Sequence, residues 1–236
     1  MIAEGISYPL EGEGALKRIV IGAVLGFASV LVIPAFLVAG YLLRVLEGAA
    51  HGNDQPPAFD EWGEMFVSGL KATLVILAYG ILPIGVMMVF VLTIAAGGAA
   101  GGGPGQLLAG LGIIGILLSL LVSFLIYYVV PAALTNFAVE GSLGAAFDFG
   151  TLKSVLTSAD YLIAWVVPFV LAFVVNIVTA VLFATIIGIL LVPLVQFYVQ
   201  VAVFFMFGRA FGNVTGLTDG RDGSSPAGRG EPTQLG

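Results

Sequence analysis

Few residues in this chain could do chemistry. Asp60, Glu61 and Glu64 stand close together, with Asp60 and Glu64 one helical turn apart. Paired carboxylates can move protons or hold a cation, but both tasks need an enclosed site with shifted pKa values. Here Phe59, Trp62, Phe66 and Leu70 recur at helical spacing opposite the acids, so the carboxylates read as the wet face of an amphipathic helix. His51 is the single histidine and sits in a polar, proline-bearing turn without companion ligands at metal spacing. With no cysteine there is no disulfide, thiolate or cysteine metal site. The serines lack a base with which to build a nucleophile elbow. The glycine run from Gly97 to Gly105 is not followed by Lys or Ser/Thr in phosphate-loop register. No catalytic, cofactor-binding or metal-binding residue is therefore assigned, no cofactor is expected, and the chain does not read as an enzyme.

Three amides remain. Asn176, Gln196 and Gln200 lie inside long apolar runs. If the chain turns near Gly188, Asn176 and Gln200 are equally far from the turn, and the small residues Ala180, Ala184 and Gly188 would let two helices close. The expectation is that Asn176 and Gln200 meet in an interhelical hydrogen bond or share one bridging water. The alternative is a polar lining, shared with Gln196, for a solute path.

The elements that must carry these residues are membrane helices. Hydrophobic residues make up 59% and charged residues 9% of the chain, against about 25% charged in a soluble domain. No charge occurs between Lys71 and Glu140 or between Asp160 and Arg209. Each gap holds two crossings at about 20 apolar residues apiece. The runs are apolar on every side rather than alternating, which excludes a barrel strand and leaves the helix, the element that satisfies its own backbone in lipid. The reading is an all-α polytopic transmembrane helix bundle of about five spans, residues 1–211, with a polar, disordered tail over 212–236. The spans run from about Ile19 to Tyr41, Thr73 to Ala95, Leu107 to Val130, Tyr161 to Ile186 and Ile189 to Phe207. Pro34 should kink the first, and its Gly22 and Gly26 form a close-packing pair that serves helix contacts within the chain or self-association. Gly97–Gly105 should be a flexible connection.

Two short amphipathic segments interrupt the spans. Asp60 should cap the first, and Phe59, Trp62 and Phe66 should anchor it at the interface; Phe147 anchors the second, between Glu140 and Asp160. The pairs Phe59-Asp60 and Phe147-Asp148 align at an 88-residue offset. That pattern suggests an internal repeat, of two units inserted in one direction, or convergent chemistry where the chain surfaces. With five spans, Arg44, Lys71, Lys153 and Arg209 face Lys17 and Arg18 across the bilayer. The positive-inside rule then puts the tail and both interfacial helices in the cytoplasm and the N-terminus outside, in the cell membrane.

Gly40-Tyr41-Leu42-Leu43-Arg44, Pro56-Pro57, Phe59-Asp60-Glu61-Trp62-Gly63, Gly69-Leu70-Lys71-Ala72 and Glu140-Gly141-Ser142-Leu143-Gly144-Ala145-Ala146-Phe147 resemble a membrane-protein family of halophilic archaea, domain of unknown function four-zero-one-three. The resemblance covers most of the chain except the tail, and it implies a lineage without an activity. A halophilic setting suits the net charge of −6, because at molar salt the Debye length falls to about 3 Å and acidic helices tolerate an anionic leaflet. That charge, without a basic patch, excludes nucleic acid as a partner. The expected partners are the lipid bilayer and other membrane subunits or further copies of the chain. The function expected is that of a non-catalytic membrane organiser or accessory subunit; the alternative is a transporter or permease for a neutral or lipidic solute.

Overall fold

The computed structural model describes residues 2–218, which are helices and short connections; among them there is no strand. A short helix, α1 (Ile2–Ser7), leads through a single 3-10 turn to α2 (Ala15–Phe27). There follow α3 (Val32–Ala50), α4 (Trp62–Ala100), α5 (Gly102–Glu140), α6 (Phe149–Leu156), α7 (Ala159–Phe183) and α8 (Ile186–Thr215). Five helices are long and apolar enough to cross a membrane: α3, α4, α5, α7 and α8 from Leu191 onward. The chain is an integral membrane protein of the all-α class.

The expected first span is not one helix. A 3-10 turn over Ala28–Val30 and an extended Leu31 (φ −84°, ψ 134°) break it, and α3 starts afresh at Val32. Pro34 is the cause. In a continuous helix its ring would collide with the preceding turn and its missing N–H would open the ladder, whereas in a first turn neither matters. The proline expected to kink a helix begins one instead.

This break reverses the chain. Gly22 of α2 packs on Phe197 of α8, and Gly5, earlier in sequence, packs on Met206, so the N-terminal segment runs antiparallel to α8. Gly208 and Gly212 of α8 pack on Leu46 and Ala50 of α3, which runs parallel to it. The six helices α2–α3, α4–α5 and α7–α8 therefore form three hairpins standing on a common base. The N-terminus returns to the end that holds the C-terminus: Tyr8 stacks on Phe205 at 4.0 Å and donates to the Gln55 carbonyl at 3.2 Å. The expected arrangement, with the N-terminus on the far side from Arg209, is thus overturned. Helix α2 has 13 residues, about 20 Å at 1.5 Å per residue, and falls short of a full crossing.

Other boundaries also move. Residues 62–71, expected as a separate amphipathic helix, are the first turns of the 39-residue α4. Asp60 does not cap it: Glu61 stands at the cap position in the left-handed region (φ 48°, ψ 48°) without a side-chain cap bond. The glycine run expected as a flexible connection is helical except at Gly101, where α4 hands over to α5. Gly101 and Gly102 have φ of 61° and 63°, a conformation that lets two 39-residue helices meet in so tight a turn. The last hairpin turns at Ala184–Thr185 rather than at Gly188, because the Thr185 hydroxyl accepts from the Gly188 N–H at 2.9 Å and starts α8 early. Helix α8 runs to Thr215, past the expected domain boundary at 211; of the expected tail, residues 219–236 lie outside the described residues.

Bare glycine backbones set the closest approaches. A methyl at Gly40 would overlap the Met65 carbonyl, and one at Gly69 the Phe36 carbonyl, so α3 and α4 touch main chain to main chain. The pair Gly208 and Gly212 does the same for α8 on α3, and Gly97, Gly105, Gly112 and Gly115 line the seam of α4 with α5. Two buried clusters lie towards the base. One gathers Leu46, Val75, Ala133, Leu152, Tyr161 and Phe211; the other gathers Tyr8, Tyr41, Met65, Phe197 and Phe205.

The chain lacks cysteine, so single cysteines report its topology directly. Glu13→Cys and Glu140→Cys should react with a membrane-impermeant maleimide from the same side of sealed vesicles, and Gln106→Cys from the opposite side only. Labelling of positions 13 and 140 from opposite sides would restore the arrangement in which residues 19–41 cross once.

Candidate functional site

The base is where polar side chains meet. Arg44, near the end of α3, reaches across to the start of α4 and pairs with Asp60 at 2.7 Å, Glu61 at 2.8 Å and Glu64 at 3.7 Å. Its own side chain is 19% exposed, whereas the three carboxylates are 62–75% exposed. The acids read from sequence as a solvated face thus meet in one guanidinium. Glu61 is the one non-glycine residue with positive φ among those described. That conformation costs about 1–2 kcal/mol, and it lets Asp60 and Glu61 turn together towards Arg44. Arg209 of α8 plays a similar part: it pairs with Asp54 and lies 5.1 Å over the Phe205 ring, tying α8 to the connection before α4. His51 turns its Nδ1 to the Glu47 carbonyl at 2.8 Å. Burial pushes the Tyr8 hydroxyl well above the usual phenol range, so it remains a neutral donor.

The connection between α5 and α7 is pinned just as closely. Asn136, buried in the last turns of α5, donates to the Ala145 carbonyl at 2.8 Å, and the Tyr79 hydroxyl donates to the Ala146 carbonyl at 2.6 Å. Tyr128 donates to the Leu156 carbonyl at 2.6 Å. The Tyr161 hydroxyl donates to the Tyr128 carbonyl at 2.7 Å and accepts from the Ala132 N–H at 3.1 Å. It bridges the α5 ladder beside Pro131, where the proline withholds a backbone donor. Asp148 caps α6, accepting from the Gly150 N–H at 3.0 Å and the Thr151 hydroxyl at 2.8 Å. Those bonds, the Thr151 hydroxyl first, hold its carboxyl below the usual carboxylate range.

The residues singled out from sequence part company. Asn176 is exposed and donates to the Ala172 carbonyl of its own helix at 2.7 Å, and among the described residues no hydrogen bond joins it to Gln200. With the turn at Ala184–Thr185, the two amides differ in distance from it by about 10 Å of helical rise. Gln196 and Gln200 instead border a cleft of about 210 Å³ with Gly26 and Phe27 of α2. Ala180 and Ala184 are exposed, so they do not draw the helices together; Gly188 is buried against the Leu182 carbonyl. Gly22 accepts the Phe197 ring, while Gly26 faces open space. Phe59 stacks on Tyr41 at 4.0 Å, Phe66 meets Phe36 edge-on at 5.5 Å, and Phe147 stacks on Tyr79 at 5.1 Å; Trp62 is half exposed. The two Phe-Asp pairs therefore make different contacts: Asp60 binds an arginine and Asp148 caps a helix. Sequence reasoning missed Gly208 and Gly212, although their GxxxG spacing was there to be read. It also missed the cluster around Arg44, whose partners lie in the connection before α4 and its first turn.

Above the base, α4 and α5 diverge from α7 and α8 and leave an apolar cavity of about 560 Å³. Leu134, Trp165 and Phe207 form its floor, 5–8% exposed; Ile76, Tyr127 and Phe169 form a rim 45–64% exposed. Trp165 sits among Phe124, Tyr128 and Phe169, with ring centroids 4.7–5.2 Å away. Pro131 and Pro168 stand on two of its walls, and Gly80 lines it with nothing within 4 Å of where a Cβ would point. Among the described residues, no three His, Asp or Glu side chains are grouped to hold a metal ion.

A family model described as protein of unknown function (DUF4013) matches residues 27–184. The chain belongs to this family. The DUF4013 match covers α3 to α7, and with them the Arg44 cluster, the pinned connection and most of the cavity wall; α8 lies beyond it. No curated protein and no solved structure matches the chain.

Two measurements check the base. Arg44→Ala should lower stability by about 1 kcal/mol, since its partners are largely solvated and screened, and thermal melts should show a smaller loss at molar salt. Asp148→Ala should speed amide exchange at Gly150 and Thr151, with Asp148→Asn close to the parent. Because the folded-state pKa of Asp148 is depressed, its capping contribution should be full above the ordinary carboxylate pKa and fade as pH falls through the lower folded value.

Proposed function

We propose that this DUF4013 protein is a non-catalytic organiser or accessory subunit of the cell membrane, with its charged base in the cytoplasm. One observation carries the reading: the polar side chains of the base are bonded to the chain itself, while the α4–α5 hairpin offers apolar faces outward. Arg44, Arg209, Asn136, Tyr79, Tyr128 and Tyr161 all tie helix to helix or helix to connection. Each is occupied in holding the fold. Helices α4 and α5 have 39 residues each, about 58 Å of rise against a hydrocarbon core of about 30 Å. The hairpin is long enough to reach beyond the far leaflet or to tilt within the bilayer alongside a neighbour. On α5, Ile114, Leu117 and Leu121 lie opposite the Gly112, Gly115 and Ser119 seam and are exposed.

The orientation follows from charge. Lys17, Arg18, Arg44, Lys153 and Arg209 belong to the base, Lys71 stands a few turns up α4, and the three hairpin turns carry no charge. The positive-inside rule then favours a cytoplasmic base more strongly than the divided count expected from five spans. A halophilic archaeal setting suits the acidic groups around Arg44, because molar salt screens their repulsion from an anionic leaflet.

Isolation of the tagged protein from its native membranes in mild detergent tests the reading. A stoichiometric membrane-protein partner is expected, and Ile114→Ala with Leu117→Ala and Leu121→Ala should release it without lowering the melting temperature. A monodisperse single chain that speeds the flux of a neutral solute across reconstituted vesicles would replace this reading with that of a permease.

A further inference from the structure

We propose that the cavity between α4, α5, α7 and α8 is a binding site for one hydrocarbon chain of a membrane lipid. The proposal needs only that the chain is an integral membrane protein, and it stands apart from the organiser reading. The cavity opens between segments apolar enough to span a membrane, and its rim of Ile76, Tyr127 and Phe169 is exposed where lipid chains are the surrounding solvent. Its floor of Leu134, Trp165 and Phe207 is buried, so an occupant would leave the bilayer and enter the protein rather than coat it. At about 560 Å³ it falls within the range of about 300–1,000 Å³ typical of small-molecule sites. The lining is mostly aromatic and aliphatic; the Ser123 hydroxyl is engaged with the Ser119 carbonyl at 2.8 Å, and the buried Trp165 Nε1 has no hydrogen-bond partner among the described residues. Such walls reward methylene contact and carry no charged side chain.

The composition of residues 219–236 does not suit the cavity. Residues 219–236 hold a single large apolar side chain, Leu235, among charged and small residues. The fold also keeps the space open. Pro131 and Pro168 interrupt the backbone ladders of facing walls, and the Tyr161 hydroxyl bridges α5 just below. Gly80 withholds a side chain where one would fit. The divergence of the two hairpins is thereby fixed by covalent structure and buried hydrogen bonds.

The test uses the full chain in vesicles of phosphatidylglycerol containing a trace of the same lipid with a mid-chain diazirine. After illumination, adducts should concentrate several-fold on the cavity segments 123–131 and 165–169, relative to the exposed face at Leu117 and Leu121. Gly80→Phe should bring the cavity labelling down to that of the exposed face, because Gly80 lines the cavity and nothing lies within 4 Å of where its Cβ would point. Ala172→Leu, from the opposite wall, should act in the same direction, and Gly85→Phe, at a glycine outside the cavity, should leave the labelling unchanged. Equal labelling of cavity and exposed face, or no response to either filling variant with the melting temperature preserved, would overturn the site. Adducts replaced by cross-links to a second copy of the chain would show a protein occupant and refute a lipid one.

Discussion

The cost of charge in hydrocarbon governs this structure. Every charged residue described except Lys71, which stands a few turns up α4, lies at one end, and every helical run that leaves that end comes back to it, with no charge at the far turns to anchor the chain there. The outcome is three hairpins with bare turns: a short 3-10 segment at Ala28–Val30, a glycine turn at Gly101 and a threonine-capped turn at Ala184–Thr185. Each satisfies its backbone locally, as a turn deep in or beyond a bilayer requires.

Once the hairpins share a base, their packing differs along their length. Near the base, main-chain contacts at Gly40, Gly69, Gly208 and Gly212 bring helices within van der Waals reach, and Arg44 and Arg209 tie down the connection before α4. Farther out, glycines hold α4 to α5, but large side chains such as Leu77, Leu82, Leu117 and Leu121 face outward. Lipid solvates those faces as well as another helix would, so nothing drives the hairpins together there. The cavity lies where the tight regime gives way to the open one.

The two Phe-Asp pairs show how one dipeptide serves different mechanics. Each phenylalanine stacks on a tyrosine, yet Tyr41 belongs to the helix before its pair and Tyr79 to a helix of the other block. Asp60 precedes a helix that continues unbroken through 39 residues, whereas Asp148 starts an eight-residue helix that ends before α7 begins. The offset of 88 residues therefore aligns sequence positions whose side chains make different bonds.

Composition and the long uncharged runs determined that the chain is helical, lies in a membrane and has about five long spans, since these depend only on transfer energies summed along the sequence. The quoted strings also carried the family. What sequence could not settle was the sense of the first hairpin. A run of apolar residues looks alike whether it crosses once or turns back, and Pro34 acts as a kink or as a helix start depending on what packs around it. That one ambiguity inverted the placement of Lys17 and Arg18. The same holds for polar partners. Asn176 and Gln200 were paired by assuming a turn at Gly188; the Thr185 cap moved that turn, and Asn176 bonds the Ala172 carbonyl of its own helix instead. Arg44 was legible as a charge but not as the centre of a cluster, because its three carboxylates arrive from the connection before α4 and its first turn. Gly80 was legible as a glycine, but only the divergence of two hairpins made it the wall of a cavity. Local preference fixes what each segment is; which faces meet depends on contacts between segments distant in the chain, and no single segment encodes them.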